Sequence, residues 1–326
     1  MNEKRTTSSL KSPYSLGLIG FGNIGKIHYG ALTKSGQTDF QLKAIADLNT
    51  QSVDDSVEFY DDYRELLKNP NIQAVSINTP PNTHYQLVMD ALRGGKHVLV
   101  EKPPALTVAQ CEEISVFANQ QERVLFMSFH ARYNFCVEAA KEELVDKNIE
   151  GIDIQYSEYA PNYHATPGWI FNPEIAGGGV LIDSGINALS VVMYVLPDWT
   201  SFSVKDAKFK KAEGFKVETE AHVGFSFGSK GGSGTLSMDW MNKGPEVRQV
   251  TFTADGDTYA VDIVKNIFSK NGEVQMTEDG SQEIVDQESE YRGVYRDFAG
   301  HLAQGKSLIS TKELAFIQEA YGQGNI

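Results

Sequence analysis

From residue 15 to about residue 128, short apolar runs alternate with longer stretches in which apolar side chains recur every three or four positions. The runs at 15–19, 42–46, 74–77, 97–100 and 124–127 predict strands, with a shorter one at 57–60. Helical periodicity fills 63–68, 84–93 and 107–120, the last opened by Thr107 as N-cap. Strands alternating with helices predict a doubly wound parallel sheet with crossover helices.

After a helix at 134–144 the pattern changes. The segments 151–159, 202–209, 218–227, 234–240, 247–254 and 259–264 alternate or run apolar, which predicts a largely antiparallel sheet. One helix, 180–195, interrupts it, and two more, 290–303 and 311–321, close the chain and can pack back on either domain. The Gly-Ser-rich stretch 228–234 reads as a hairpin turn. The fold class is therefore α/β: a tail expected to be disordered (1–13), a doubly wound domain (14–132), and an α+β domain with a mostly antiparallel open sheet (133–326).

At 326 residues, 41% of them hydrophobic, the chain exceeds one typical core, in keeping with two domains. A net charge of -14 argues against nucleic acid and anionic membrane as partners and favours a small, weakly charged substrate. Two cysteines, Cys111 and Cys136, sit in helical segments with no disulfide framework, which points to a reducing compartment. The polar N-terminus lacks a signal-peptide pattern and no run of about 18 apolar residues stands out, so no membrane span and a cytoplasmic location are expected. The seven histidines show no ligand spacing, so no metal site is expected.

The candidate chemistry begins where the first strand ends. Gly20-Phe21-Gly22-Asn23-Ile24-Gly25 follows it and opens a helical pattern, the context a dinucleotide fingerprint requires. The first glycine permits a tight turn, the second lets backbone approach a pyrophosphate, and the third lets helix and strand pack closely. The second strand runs into Asp47, where a carboxylate can bind the ribose hydroxyls of NAD and repel a 2'-phosphate; the plainer reading is a cap on the following turn. NAD is expected, with NADP use open.

Two further loops leave the same sheet edge. Thr79-Pro80-Pro81-Asn82-Thr83-His84 is stiffened by its prolines and can line the nicotinamide ribose, with Asn82 or Thr83 capping the next helix; His84 reads as a cofactor contact or as a helix-start residue without chemistry. One strand on, Glu101-Lys102-Pro103-Pro104 brings Lys102 to the edge where open α/β sheets take ligands.

Taken together, GFGNIG, ADLN, NTPPNTH, EKP and the later GGGVLIDSGIN resemble the Gfo/Idh/MocA oxidoreductases over nearly the whole chain. The resemblance implies a Rossmann domain followed by a sheet domain that covers the substrate, and it assigns Lys102 to the active site beside the cofactor-binding Glu101. Many members carry Asp-x-Gly-x-His in the second motif, whereas this run is Asp183-Ser184-Gly185-Ile186-Asn187. An amide neither gives nor takes a proton at neutral pH, so proton transfer falls to Asp183, Lys102 or a water between them. This variant is similar to the aldose 1-dehydrogenases of the family, which act on D-galactose, L-arabinose and related pyranoses.

Asp183 and Asn187, four apart on a helical segment, share a face and can reach one ligand; a helix cap and a buried polar residue form the ordinary alternative. The same resemblance carries Glu158 and His164 over as hydroxyl-binding residues; Trp169 and Trp240, whose indole rings can pack against sugar C–H faces, and His130, which can bond a hydroxyl, are further candidates, with a plain structural role the alternative for His130 and Trp240. The expected partner is a small sugar, and an open sheet face suggests a homo-oligomer through the C-terminal domain. Two rivals stay open: a relative oxidising an inositol or another sugar position, and an NAD-binding regulator without chemistry.

Overall fold

The computed structural model describes residues 12–34, 39–49, 54–163, 168–196, 201–277 and 287–325; residues 1–11 of the expected tail lie outside them. The first sheet comprises β1 (Tyr14–Ile19), β2 (Phe40–Ala46), β3 (Glu58–Tyr60), β4 (Ala74–Ile77), β5 (His97–Glu101) and β6 (Leu125–Ser128). Every pairing is parallel, in the order β3-β2-β1-β4-β5-β6. β4 and β5 are buried at every residue, because helices cover both faces of the sheet. The helices are α1 (Asn23–Thr33), α2 (Tyr63–Lys68), α3 (Pro81–Arg93) and α4 (Val108–Gln120), the last capped by Thr107 as predicted. The winding reverses between β1 and β4, which opens a crevice at the C-terminal ends of the strands.

After α5 (Phe135–Leu144) come β7 (Ile149–Ser157), the short α6 (Pro173–Ala176) and α7 (Ile186–Val195). The second sheet then continues with β8 (Phe202–Lys210), β9 (Glu220–Phe227), β10 (Gly232–Asp239), β11 (Val247–Ala254), β12 (Asp257–Asp262), β13 (Ile267–Lys270) and β14 (Glu273–Thr277). Its order is β14-β13-β12-β11-β7-β10-β9-β8, antiparallel except where β7 and β10 run parallel. The β13–β14 hairpin was not expected, although its turn residues Asn271 (φ 51°) and Gly272 (φ 80°) are the Asn-Gly pair that such turns favour.

The single helix expected at 180–195 is instead a π-helical turn, Leu181–Gly185, feeding α7. The stretch Pro173–Val195 is long and apolar enough by composition to cross a membrane, yet Glu174 and Asp183 interrupt it and most of it is buried inside the protein, as a core helix is. The closing helices part company. α8 (Gln287–Gln304) packs on the first domain, where Phe298 stacks on Phe40 with ring centroids 5.4 Å apart, and α9 (Lys312–Gln323) packs on the second, where Phe316 meets Phe225 edge-on at 5.2 Å.

On the second sheet, period-2 alternation buries one row per strand: Ile152, Ile154 and Tyr156 on β7, Leu236 and Met238 on β10, Val250 and Phe252 on β11. Continued toward one end of the sheet, the same rows reach Glu158, Trp240 and Arg248. That end faces the first domain's crevice through the turn carrying Asp183.

Candidate active site

Gly20 leaves β1 with φ +93°, and a Cβ there would lie 2.8 Å from Thr79 Cγ2 and 2.9 Å from the Asn78 carbonyl. At Gly25 a Cβ would come within 2.3 Å of the Gly20 carbonyl oxygen, so the third glycine permits the close packing of α1 on the loop. A Cβ on Gly22 would meet nothing within 4 Å, and α1 begins there with no side-chain cap. The amides at the start of α1, around Asn23 and Ile24, are thus left for an anion such as a pyrophosphate. Asp47 fits the capping reading and leaves the other open: its Oδ2 accepts from the Phe21 amide (2.7 Å) and its Oδ1 from the Asn49 amide (2.8 Å). It ties the glycine loop to β2 and caps the turn, with lone pairs remaining for ribose hydroxyls.

The proline loop differs from expectation. α3 starts at Pro81 with Pro80 as its cap residue, so neither Asn82 nor Thr83 caps it. Thr83 Oγ1 instead donates to the Pro80 carbonyl (2.7 Å) and lies 2.6 Å from the Thr79 hydroxyl, while Asn82 is exposed. His84 is fully buried, with Nδ1 2.7 Å from the Pro103 carbonyl and Nε2 2.7 Å from the Thr79 carbonyl. Burial pushes its pKa down, against the pull of the two carbonyls. Neither ring nitrogen is left for a cofactor, so His84 braces the two loops against each other rather than touching the cofactor.

Glu101, expected at the cofactor, turns inward. Its Oε1 contacts His28 Nε2 (3.1 Å) and the Tyr291 hydroxyl (3.0 Å), and its Oε2 accepts from the Lys102 amide (3.3 Å). Burial opposes its charge, but the bond and charge of His28, with His130 and Lys102 behind, hold the carboxyl down at about 2. The buried carboxylate anchors the base of the lysine.

Lys102 crosses the domain boundary: its Nζ lies 2.8 Å from Asp183 Oδ1 and 3.0 Å from the Asp183 carbonyl. The two side chains are only 13% and 29% exposed, so bulk water screens the pair weakly. The turn bearing Asp183 is fixed by Glu218, a buried carboxylate that accepts from the amides of Gly179 (2.9 Å) and Leu181 (3.2 Å) and from the Tyr321 hydroxyl (2.6 Å). A Cβ on Gly179 would lie 2.0 Å from the Glu218 carbonyl oxygen, and one on Gly178 2.3 Å from the Tyr321 hydroxyl. Past the π-turn, Asn187 holds its side-chain oxygen buried with no hydrogen-bond partner among the described residues, an acceptor that a ligand hydroxyl can satisfy.

Next to Asp183, Ser184 lies together with Glu158, Trp240 and Arg248 around a shallow cleft. Trp240 is buried and donates its indole N–H to Ser184 Oγ at 2.9 Å. Glu158 binds Arg248 at 2.9 Å. Trp169 is 41% exposed on a single 3-10 turn, and His164 lies outside the described residues. His130 departs from its expected place at the substrate: its Nδ1 is 2.6 Å from Glu290 and its ring stacks on Tyr291 at 5.2 Å, which commits it to the junction with α8.

Residues 14–129 match the profile described as "Oxidoreductase family, NAD-binding Rossmann fold", and residues 148–262 match the GFO/IDH/MocA C-terminal domain. The chain belongs to the Gfo/Idh/MocA oxidoreductase family. It is 26% identical to galactose 1-dehydrogenase of Pseudomonas fluorescens over 314 residues, 96% of each chain. Over 209 residues, 61% of this chain and 59% of the other, it is 32% identical to D-glucoside 3-dehydrogenase of Escherichia coli. The crystal structure of D-galactose-1-dehydrogenase from Rhizobium etli superposes with a TM-score of 0.84 at 29% identity, covering 97% of this chain and 96% of that one.

Around the candidate site of this Gfo/Idh/MocA oxidoreductase stand several residues that the sequence pattern does not mark. His28, Ser184, Glu218, Arg248 and Tyr321 act through partners far along the chain, which periodicity alone does not reveal. Arg248 did carry a signal: it shares a strand face with Val250 and Phe252, so a charge stands at an inward position.

Proposed function

We propose that this oxidoreductase removes hydride from the anomeric C1 of an aldopyranose, D-galactose, L-arabinose or a related sugar, to give the aldonolactone. NAD, when bound, supplies the hydride acceptor at the crevice mouth. The C1 hydroxyl gives its proton to the Lys102–Asp183 pair, directly or through one water, as C1–H leaves as hydride and the C1=O bond forms. An ammonium held on the carboxylate also stabilises negative charge developing on the C1 oxygen.

The observation that carries this reading is the 2.8 Å contact between Lys102 Nζ and Asp183 Oδ1 in a chain where Asn187 stands in place of a proton-transferring histidine. The likeness to two galactose dehydrogenases over nearly the whole chain supports C1. The Escherichia coli relative supplies the rival, oxidation at another ring position. Asp47 at the end of β2 favours NAD, because its carboxylate repels a 2'-phosphate.

Offering aldoses, 1-substituted glycosides and inositols in turn with NAD and with NADP, and following absorbance of the reduced nicotinamide, tests the reading. Free aldoses with NAD are expected to react. Turnover of 1-O-methyl glycosides, whose anomeric oxygen cannot be oxidised, would overturn it.

A further inference from the structure

The inward rows of β7, β10 and β11 turn from apolar to polar at the end that meets Ser184, and the charged residues there are tied to one another. Arg248 donates from Nη2 to Glu158 at 2.9 Å, and its Nε lies 2.7 Å from Glu246 Oε1 as an ion pair. Glu246 also accepts from the Tyr163 hydroxyl at 3.0 Å, and the second Glu158 oxygen lies 3.4 Å from Ser184 Oγ. Two carboxylates therefore fix the guanidinium in one orientation, a preorganisation that a lone arginine stem lacks. Among the described residues Nη1 has no hydrogen-bond partner, so it keeps two N–H donors, beside a carboxylate with spare lone pairs.

Such a pair matches two neighbouring hydroxyls, one accepting from Nη1 and the other donating to Glu158. It does not match a carboxylate, because two glutamates and one arginine leave the group with a net negative charge. The geometry assigns Arg248 as a specificity-determining residue: with Glu158 it clamps a vicinal hydroxyl pair on the sugar ring, and the Glu158–Arg248–Glu246 group rejects uronates. The assignment rests on the proposed sugar chemistry but concerns ring hydroxyls other than the reacting one.

The test is steady-state kinetics of the wild type, Arg248→Leu, Arg248→Lys and Glu246→Gln with D-galactose, its 3-deoxy and 4-deoxy analogues, and D-galacturonate. For galactose, Arg248→Leu is expected to raise KM about 10- to 100-fold with little change in kcat, as loss of a charge-assisted hydrogen bond does. The deoxy analogue lacking the clamped hydroxyl is expected to lose most of that sensitivity. Wild type is expected to use galacturonate at least about 100-fold less well than galactose, and Glu246→Gln to narrow that gap about tenfold. Arg248→Lys keeps the charge without the fork and gives an intermediate KM; it carries the test if the leucine variant loses its fold, which thermal unfolding and NADH binding report. A fall in kcat at unchanged KM, equal sensitivity of every analogue, or ready use of galacturonate would overturn the assignment. If only another polyol reacts, the aldose reading falls, and the same KM and kcat split on that polyol decides for or against Arg248.

Discussion

The loops 20–25 and 177–179 use the same device to opposite ends. Each sets glycines just before a helical turn whose first amides lack helical partners. In the first loop a methyl group at Gly22 would enter open space, and the amides are left for a ligand. In the second, a methyl at Gly179 would strike the Glu218 backbone, and the amides of Gly179 and Leu181 already bond to the Glu218 carboxylate. We propose that one loop receives an anion from solution, while the other holds an anion of the chain's own and thereby fixes Asp183. A glycine-rich helix start signals binding only where nothing in the chain fills it.

The contrast breaks most visibly at Gly179. Gly179→Ala forces a Cβ onto backbone that cannot yield, so a loss of more than about 4 kcal/mol is expected in chemical unfolding; an unchanged midpoint would mean that Glu218 is not a fixed cradle. Glu101, another buried carboxylate bound to internal donors, extends the comparison to acid. Its folded pKa, about 2, lies below its ordinary 4.5, so its contribution is full above about pH 4.5 and is lost as pH falls toward 2. Glu101→Gln is expected to flatten that part of the stability profile by about 2 to 3 kcal/mol. An equally steep acid limb in the variant would show that the charge is not held there.

Gly22→Ala gives the smallest change in the fold, with stability within about 1 kcal/mol of wild type and KM for NAD raised roughly 10- to 100-fold. A stability loss with NAD binding intact would reverse the assignment of the two loops.

Much of this is legible in the sequence. The order of strands and helices in the first domain follows from its continuous apolar runs, and the glycine loop, Asp47 and Lys102 follow from their places at strand ends. The pairing of Lys102 with Asp183 came from resemblance, because no local pattern joins residues on two domains. Glu218 was hidden for a different reason: it sits at the start of a strand pattern, where a carboxylate reads as solvated, and only the fold brings Gly179 onto it. The loops of His84 and Glu101 face the cofactor crevice, yet both side chains turn inward, where buried carbonyls and His28 demand partners. The π-turn at Leu181–Gly185 was also invisible, since its residues carry an ordinary helical pattern.

The central claim is that Lys102, held on Asp183, takes part in the reaction and not in holding the cofactor. Lys102→Met, titrated with NADH by fluorescence and assayed in parallel with the sugar that the wild type oxidises, tests it most directly. The account predicts NADH affinity within about threefold of wild type and turnover lower by about a thousandfold or more. Near-normal turnover, or lost turnover explained wholly by lost NADH binding, would contradict it.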